Sequence, residues 1–315
     1  MNDTRRARAD ASGDPGAPAP HDEVRRFLIE RQPVRGHWVH LGPAWRDLRA
    51  HLDYPPVVRD LLGEAVASAV LLAATLKFHG TLTLQFEGDG RVRLLVAQCT
   101  HDFGVRAVAR FEAADFADGD AEMLDFRALV GQRGRVIVTI EATERDLRYQ
   151  GIVPLAGESL AESLEEYFAT SEQLPTRVRL AADGENSVGL LIQRLPQASA
   201  DAGEAWEGAQ RGIAGLSAKD LLSESFETLV RGVLGEQDVR VFRGTPVRSE
   251  CRCNAERVSA LLRAIGEAEV ADVIREQGSV TVTCEFCQRP YRFSEADAKA
   301  LFGSGMTPPG SGALH

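Results

Sequence analysis

The chain has 315 residues, enough for one sizeable domain with a smaller appendage. Apolar residues at 44% and charged residues at 26% are ordinary for a soluble globular protein. With 36 Lys and Arg against 46 Asp and Glu, the net charge of -10 argues against a nucleic-acid partner, whose backbone calls for clustered cations.

The opening, MNDTRRARADASGDPGAPAPHDE, carries basic residues with no apolar stretch behind them. Residues 1–22 therefore read as a disordered tail and not as a secretory signal. From Asp22 the sequence becomes patterned: Val24, Phe27, Leu28 and Ile29 suggest a short amphipathic element, and the alternation in VRGHWVHL a strand. Tyr54-Pro55-Pro56 stops one segment and opens a helix predicted to run from Val57 to about Phe78. Its second half, AVASAVLLAATL, is apolar on every face, which places it inside the domain between layers. The most apolar run, Ala65 to Leu76, is shorter than the roughly 20 residues of a membrane span and is flanked by Arg59, Asp60, Glu64 and Lys77. No membrane partner is expected, and a cytoplasmic location follows by elimination.

TLTLQFEGDGRVRLLVAQC gives two alternating runs around Gly88-Asp89-Gly90, a hairpin whose glycines are expected to supply positive φ. Further strands are predicted at VRAVARFE, RVIVTIEA and RYQGIVPL, a helix at Leu160 to Phe168, and a strand pair at TRVRLAA and VGLLIQRL. Residues 23–195 thus read as one α+β domain, an N-terminal sheet domain with a buried central helix. Beyond Pro196, QASADAGEAWEGAQRGIAG has the small, polar character of a linker, assigned to 196–250. Within it Ser217 caps a helix, Asp220 completes a capping box, and Leu216 with Leu221 has staple spacing. Leu222, Phe226, Leu229, Val230, Val233 and Leu234 line one face of that helix. Such a stripe is either docked or a binding element, and coverage of Leu222, Phe226 and Val230 is expected in the reduced state.

Four of five cysteines cluster near the C-terminus: Cys251 and Cys253 as CRC, Cys284 and Cys287 as CEFC. Asn254 can cap a helix to about Ile265, the 30 residues 254–283 leave room for two helices, and SVTVTCEFCQRPYRF reads as strand, turn and return strand. No histidine lies between His101 and His315, so a metal in the small module 251–302 has only the four cysteines as nitrogen or sulfur ligands. Zinc, one per chain in the reduced state, suits such a set, and a closed four-thiolate shell leaves no position for water or substrate. The site is then structural or redox-active, and no enzyme activity is expected. In a small module the metal supplies much of the folding free energy, so oxidation of its ligands would unfold it. Cys99, in RLLVAQC, reads as a buried core cysteine.

Two other classes fit less well. A zinc-ribbon nucleic-acid binder is opposed by seven Lys and Arg against eight Asp and Glu in 251–302, and by Phe286, Tyr291 and Phe293 lacking a basic surround. A disulfide oxidoreductase needs an exposed low-pKa cysteine free of metal, and none stands out.

VRGHWVHL, YPPVVRDLLGEAVASAVLLAATLKFHG, FEGDG, YQGIVPLAGESLAESLEEYF, SEQLPTRV and the CRC…CEFC module, in that order, resemble the 33 kDa chaperonin (heat shock protein 33) family from about residue 24 to 302. The resemblance implies a cytoplasmic redox-regulated holdase that binds unfolded or partly unfolded client proteins and prevents their aggregation under oxidative stress. It implies zinc on Cys251, Cys253, Cys284 and Cys287 and inactivity when reduced. It also implies disulfides joining Cys251 with Cys253 and Cys284 with Cys287 on activation, zinc release, linker unfolding, and a homodimer as the active form. A bridge across CxC closes a small ring, and strained disulfides are the labile ones. Residues 303–315 look like a second added tail.

Overall fold

The structure is a computed structural model and describes residues 22–116, 124–143, 147–196 and 202–303. β1 (Glu23–Ile29) and β2 (Val34–Leu41) pair antiparallel, so the element around Phe27 is a strand. Asp22 is part of this order, because its carboxylate accepts from the Gly42 and Ala44 amides and so caps α1 (Pro43–Arg49). The remainder of the expected N-terminal tail lies outside the described residues, as does 304–315 of the second tail.

α2 (Pro56–Thr75) is the predicted buried helix, opened by Pro56 where a missing N–H costs nothing. It ends three residues earlier than expected, where Leu76 turns extended and the Thr75 hydroxyl donates to the Leu72 carbonyl. β3 (Gly80–Glu87), β4 (Val92–Thr100) and β5 (Gly104–Phe111) form a meander, followed by α3 (Phe126–Val130), β6 (Arg135–Ala142) and β7 (Leu147–Pro154). In the β3–β4 turn, Gly88 and Gly90 do not have positive φ. Glycine is required there because a Cβ on either would lie 2.3 or 2.5 Å from carbonyl oxygens of α3.

α4 (Leu160–Tyr167), β8 (Thr176–Ala182) and β9 (Ser187–Arg194) complete the core. Residues read as a linker then form α5 (Ala202–Ala214), with Trp206, Ala209 and Ile213 buried along one face. The next helix is two: α6 (Ala218–Ser223), with the predicted capping box of Ser217 and Asp220, and α7 (Phe226–Leu234), restarted by Ser225, whose hydroxyl accepts from the Thr228 amide. Three short strands follow, β10 (Val239–Val241), β11 (Thr245–Pro246) and β12 (Arg248–Ser249). The C-terminal module holds α8 (Ala255–Ile265), α9 (Glu267–Gln277), β13 (Val280–Thr283), β14 (Pro290–Phe293) and α10 (Glu295–Gly303).

One sheet runs β10–β1–β2–β9–β8, with β11 also on β1, and the other β12–β5–β4–β3–β6–β7. The fold is α+β, and α2 lies between the two sheets with Leu62, Val66, Val70 and Leu71 in the main core. The first sheet is apolar on both faces. Val39, Leu41, Val178 and Leu191 look inward to α2, whereas Phe27, Trp38, Leu190 and Ile192 look outward and are covered by α5, α6 and α7. Gly36, paired across the strands with Phe27, makes room for its ring, since a Cβ there would lie 2.1 Å from the ring tip. Phe226 and Val230 are buried as expected, and Leu222 is half-buried. Among the described residues, no helix is long and apolar enough to cross a membrane.

His37 on β2 is 2% exposed, and burial with the nearby Arg35 and Arg26 lowers its pKa to about 3, against a hydrogen bond to the Ala74 backbone. Below pH 6.5 the unfolded chain takes up a proton here that the folded chain refuses, so stability falls as pH drops from 6.5 toward 3. Relative to His37→Gln, the parent chain should lose about 2 kcal/mol of unfolding free energy between pH 7 and pH 5, read by urea melts at both.

Candidate functional site

The site is built by two returns of the chain to one point. The first is the segment after β12, which delivers Cys251 and Cys253. It becomes α8 at once, because the Asn254 side chain accepts from the Arg257 amide and caps the helix. The second is the β13–β14 hairpin, whose tip carries Cys284 and Cys287. There the Cys284 amide donates to the Arg289 carbonyl at 3.0 Å, and Gln288 takes a left-handed φ of 54° while its amide donates to the Cys284 carbonyl at 2.9 Å. The predicted helix, hairpin and pair of intervening helices are all present.

The four sulfurs lie within 4.8 Å of one another. Cys251 is 3.4 Å from Cys253 and 3.6 Å from Cys284, and Cys253 is 3.3 Å from Cys287. Four thiolates about 2.3 Å from a central ion would be about 3.8 Å apart, so this cluster has the size of a tetrahedral metal shell. Burial pushes the Cys251 thiol up to about 12, only partly offset by the Cys253 backbone N–H. At Cys253 burial also opposes ionisation, but the Tyr291 hydroxyl, donating at 3.1 Å, and the neighbouring thiols bring its pKa down to about 7. Behind the sulfurs the module has a small core of Leu262, Val270, Ile274, Val280, Ala298 and Leu301.

The model of the Hsp33 protein family matches residues 22–294. A 33 kDa chaperonin of Methylobacillus flagellatus is 38% identical over 93% of this chain and 99% of its own length. One of Chromobacterium violaceum is 40% identical over 94% and 98%. This chain belongs to the Hsp33 family. It is a chaperone of the Hsp33 type. The crystal structure of the Hsp33 homolog of Thermotoga maritima shares the fold, with a TM-score of 0.73 and 22% identity over 89% of this chain and 98% of that one.

Outside the cluster, Cys99 is fully buried on β4, and burial holds its thiol far above the ordinary range. Phe286, expected without a cationic neighbour, has the Arg106 guanidinium stacked 4.1 Å from its ring centre. Glu285 is held by Arg110, and Arg252 donates to the Thr81 hydroxyl at 2.9 Å. Sequence reasoning missed these partners because Arg106 and Arg110 sit in an alternating strand, where an outward arginine has no distinguishing signal. In reduced, metal-stripped protein, a thiol reagent should modify the four clustered cysteines without denaturant and Cys99 only in denaturant, as peptide mass mapping would read.

Proposed function

We propose that this chain is a redox-regulated holdase that binds unfolded or partly unfolded clients and prevents their aggregation under oxidative stress. The carrying observation is the four-sulfur cluster, joined by residues 235–250 to helices that cover an apolar sheet face. Cys251, Cys253, Cys284 and Cys287 are the residues that would hold one zinc, and four thiolates in a closed shell suit that ion and leave no open position for hydrolysis. When bound, zinc supplies folding free energy to the module, on the order of 10 kcal/mol in small zinc domains. A packed cluster of six side chains supplies little by comparison.

In the reduced state the chain is inactive as a chaperone. Oxidation by peroxide joins Cys251 to Cys253 and Cys284 to Cys287. Each S–S bond forms as two thiols give up two protons and two electrons, and one peroxide becomes two waters. The family resemblance supports this pairing. Sulfur distances do not select it, since Cys253 is as near Cys287 as Cys251. Loss of four thiolates unfolds the module, loosens β12, β11 and β10 from the sheet edges, and frees α5–α7. Phe27, Trp38, Leu190 and Ile192 then face clients as a contiguous apolar patch. The active form is a homodimer, the location cytoplasmic, where thiols stay reduced, and nothing is catalysed. The working division is a core to 195, a covering segment 196–250 and a switch module 251–302.

Purified reduced protein should contain one zinc per chain. Peroxide with mild heat should release it, speed hydrogen exchange across 218–234 and confer suppression of aggregation that reductant reverses. Retained zinc with unchanged exchange there would leave a structural zinc protein. Separately, Phe226→Ala removes a ring packed 6.0 Å from Phe27 and 5.3 Å from Trp38. It should weaken the cover by roughly 3 kcal/mol and give aggregation suppression without oxidant.

A further inference from the structure

CRC contains one spacer, Arg252, and CEFC two, Glu285 and Phe286. All three reach the core sheet. Arg252 donates to Thr81 on β3 at 2.9 Å. Glu285 receives one Arg110 nitrogen on both carboxylate oxygens, at 2.7 and 2.8 Å. Phe286 lies under Arg106, whose Nε is fixed by donating to the Gln98 side chain at 2.7 Å.

Arg106 and Arg110 are four residues apart on β5 and so share its outward face, while Val105, Ala107 and Ala109 point into the core. Val108 stands between the two arginines on that face, and it is only 7% exposed. An outward valine between two arginines is shielded when something lies against the strand. The three spacer contacts bring the cysteine motifs to this same face.

We propose that Arg252, Glu285 and Phe286 are the contacts that seat the cysteine module on the core sheet, against Thr81, Arg110 and Arg106, so that a disulfide within either motif unseats the module directly. This rests on the redox reading above. A bond between Cys251 and Cys253 closes a ring through Arg252, and one between Cys284 and Cys287 closes a ring through Glu285 and Phe286. Each ring changes the direction of the spacers that carry the contacts. Arg106 and Arg110 are positioning residues, acting on the sulfurs through the spacers.

The test uses the full chain, reduced and zinc-loaded, with a chromophoric chelator reporting the rate of zinc release. Arg106→Met and Arg110→Glu should each release zinc about two- to tenfold faster, the range expected of losing one stacked cation or of reversing one charge of an exposed ion pair. The thermal midpoint of the core should stay put. The double exchange Arg110→Glu with Glu285→Arg should return the rate to that of the parent. Parent-like rates in both single variants, or a double exchange as fast as Arg110→Glu alone, would overturn the seat. Should the parent hold no zinc, the redox reading fails, and hydrogen exchange of amides 284–289 in the reduced metal-free chain judges the seat. Faster exchange in Arg106→Met then supports it, and equal exchange overturns it.

Discussion

A sheet that is apolar on both faces needs two covers, and the architecture follows from that requirement. β9 makes it visible, since VGLLIQ is buried without a break because its alternate side chains serve different layers. The inner cover is α2, whose second half is apolar all round and has no alternative place to be. The outer cover is α5–α7, helices with one apolar stripe and one polar face, which can exist in water if displaced. The two covers therefore differ in kind: one belongs to the core and the other only rests on it.

What ties the outer cover down is modest. From Gly235 to Glu250 the chain is stitched to both sheets by three strands of two or three residues, β10 and β11 on β1 and β12 on β5. Such short pairings order little backbone against a large entropy cost, and they hold because both ends are fixed. One end is α7, anchored by Phe226. The other is the cysteine cluster, where the Glu250 amide still donates to the Val105 carbonyl one residue before Cys251. On the proposed reading, the chemistry of four sulfurs governs a surface it does not touch, through a segment too weak to stay put alone.

Much of this was legible beforehand. The proline-opened apolar helix, the hairpin, the Ser217 and Asp220 box and the four cysteines carry strong local signals, and each lies where those signals put it. α5 was misread because Ala and Gly give linker-like composition, although Trp206, Ala209 and Ile213 already had helical spacing. The break between α6 and α7 was written in Ser225, a second cap that a continuous stripe of apolar residues obscured. β10 to β12 are too short to show any period. The contacts between the cysteine module and the core sheet join residues some 170 to 180 positions apart, which no window on the sequence can join.

On the proposed reading, the separate caps on α6 and α7 have a consequence for client release. Because Ser217 and Ser225 satisfy each helix start from within, neither helix depends on the sheet for its first hydrogen bonds, and both are biased toward their bound shape when detached. A tethered, partly formed strip of this kind remains at high effective concentration beside the face it left. It is thus a built-in competitor for whatever has taken its place. When reduction restores the module, recapture of the face would proceed by displacement, handing the occupant back to solvent.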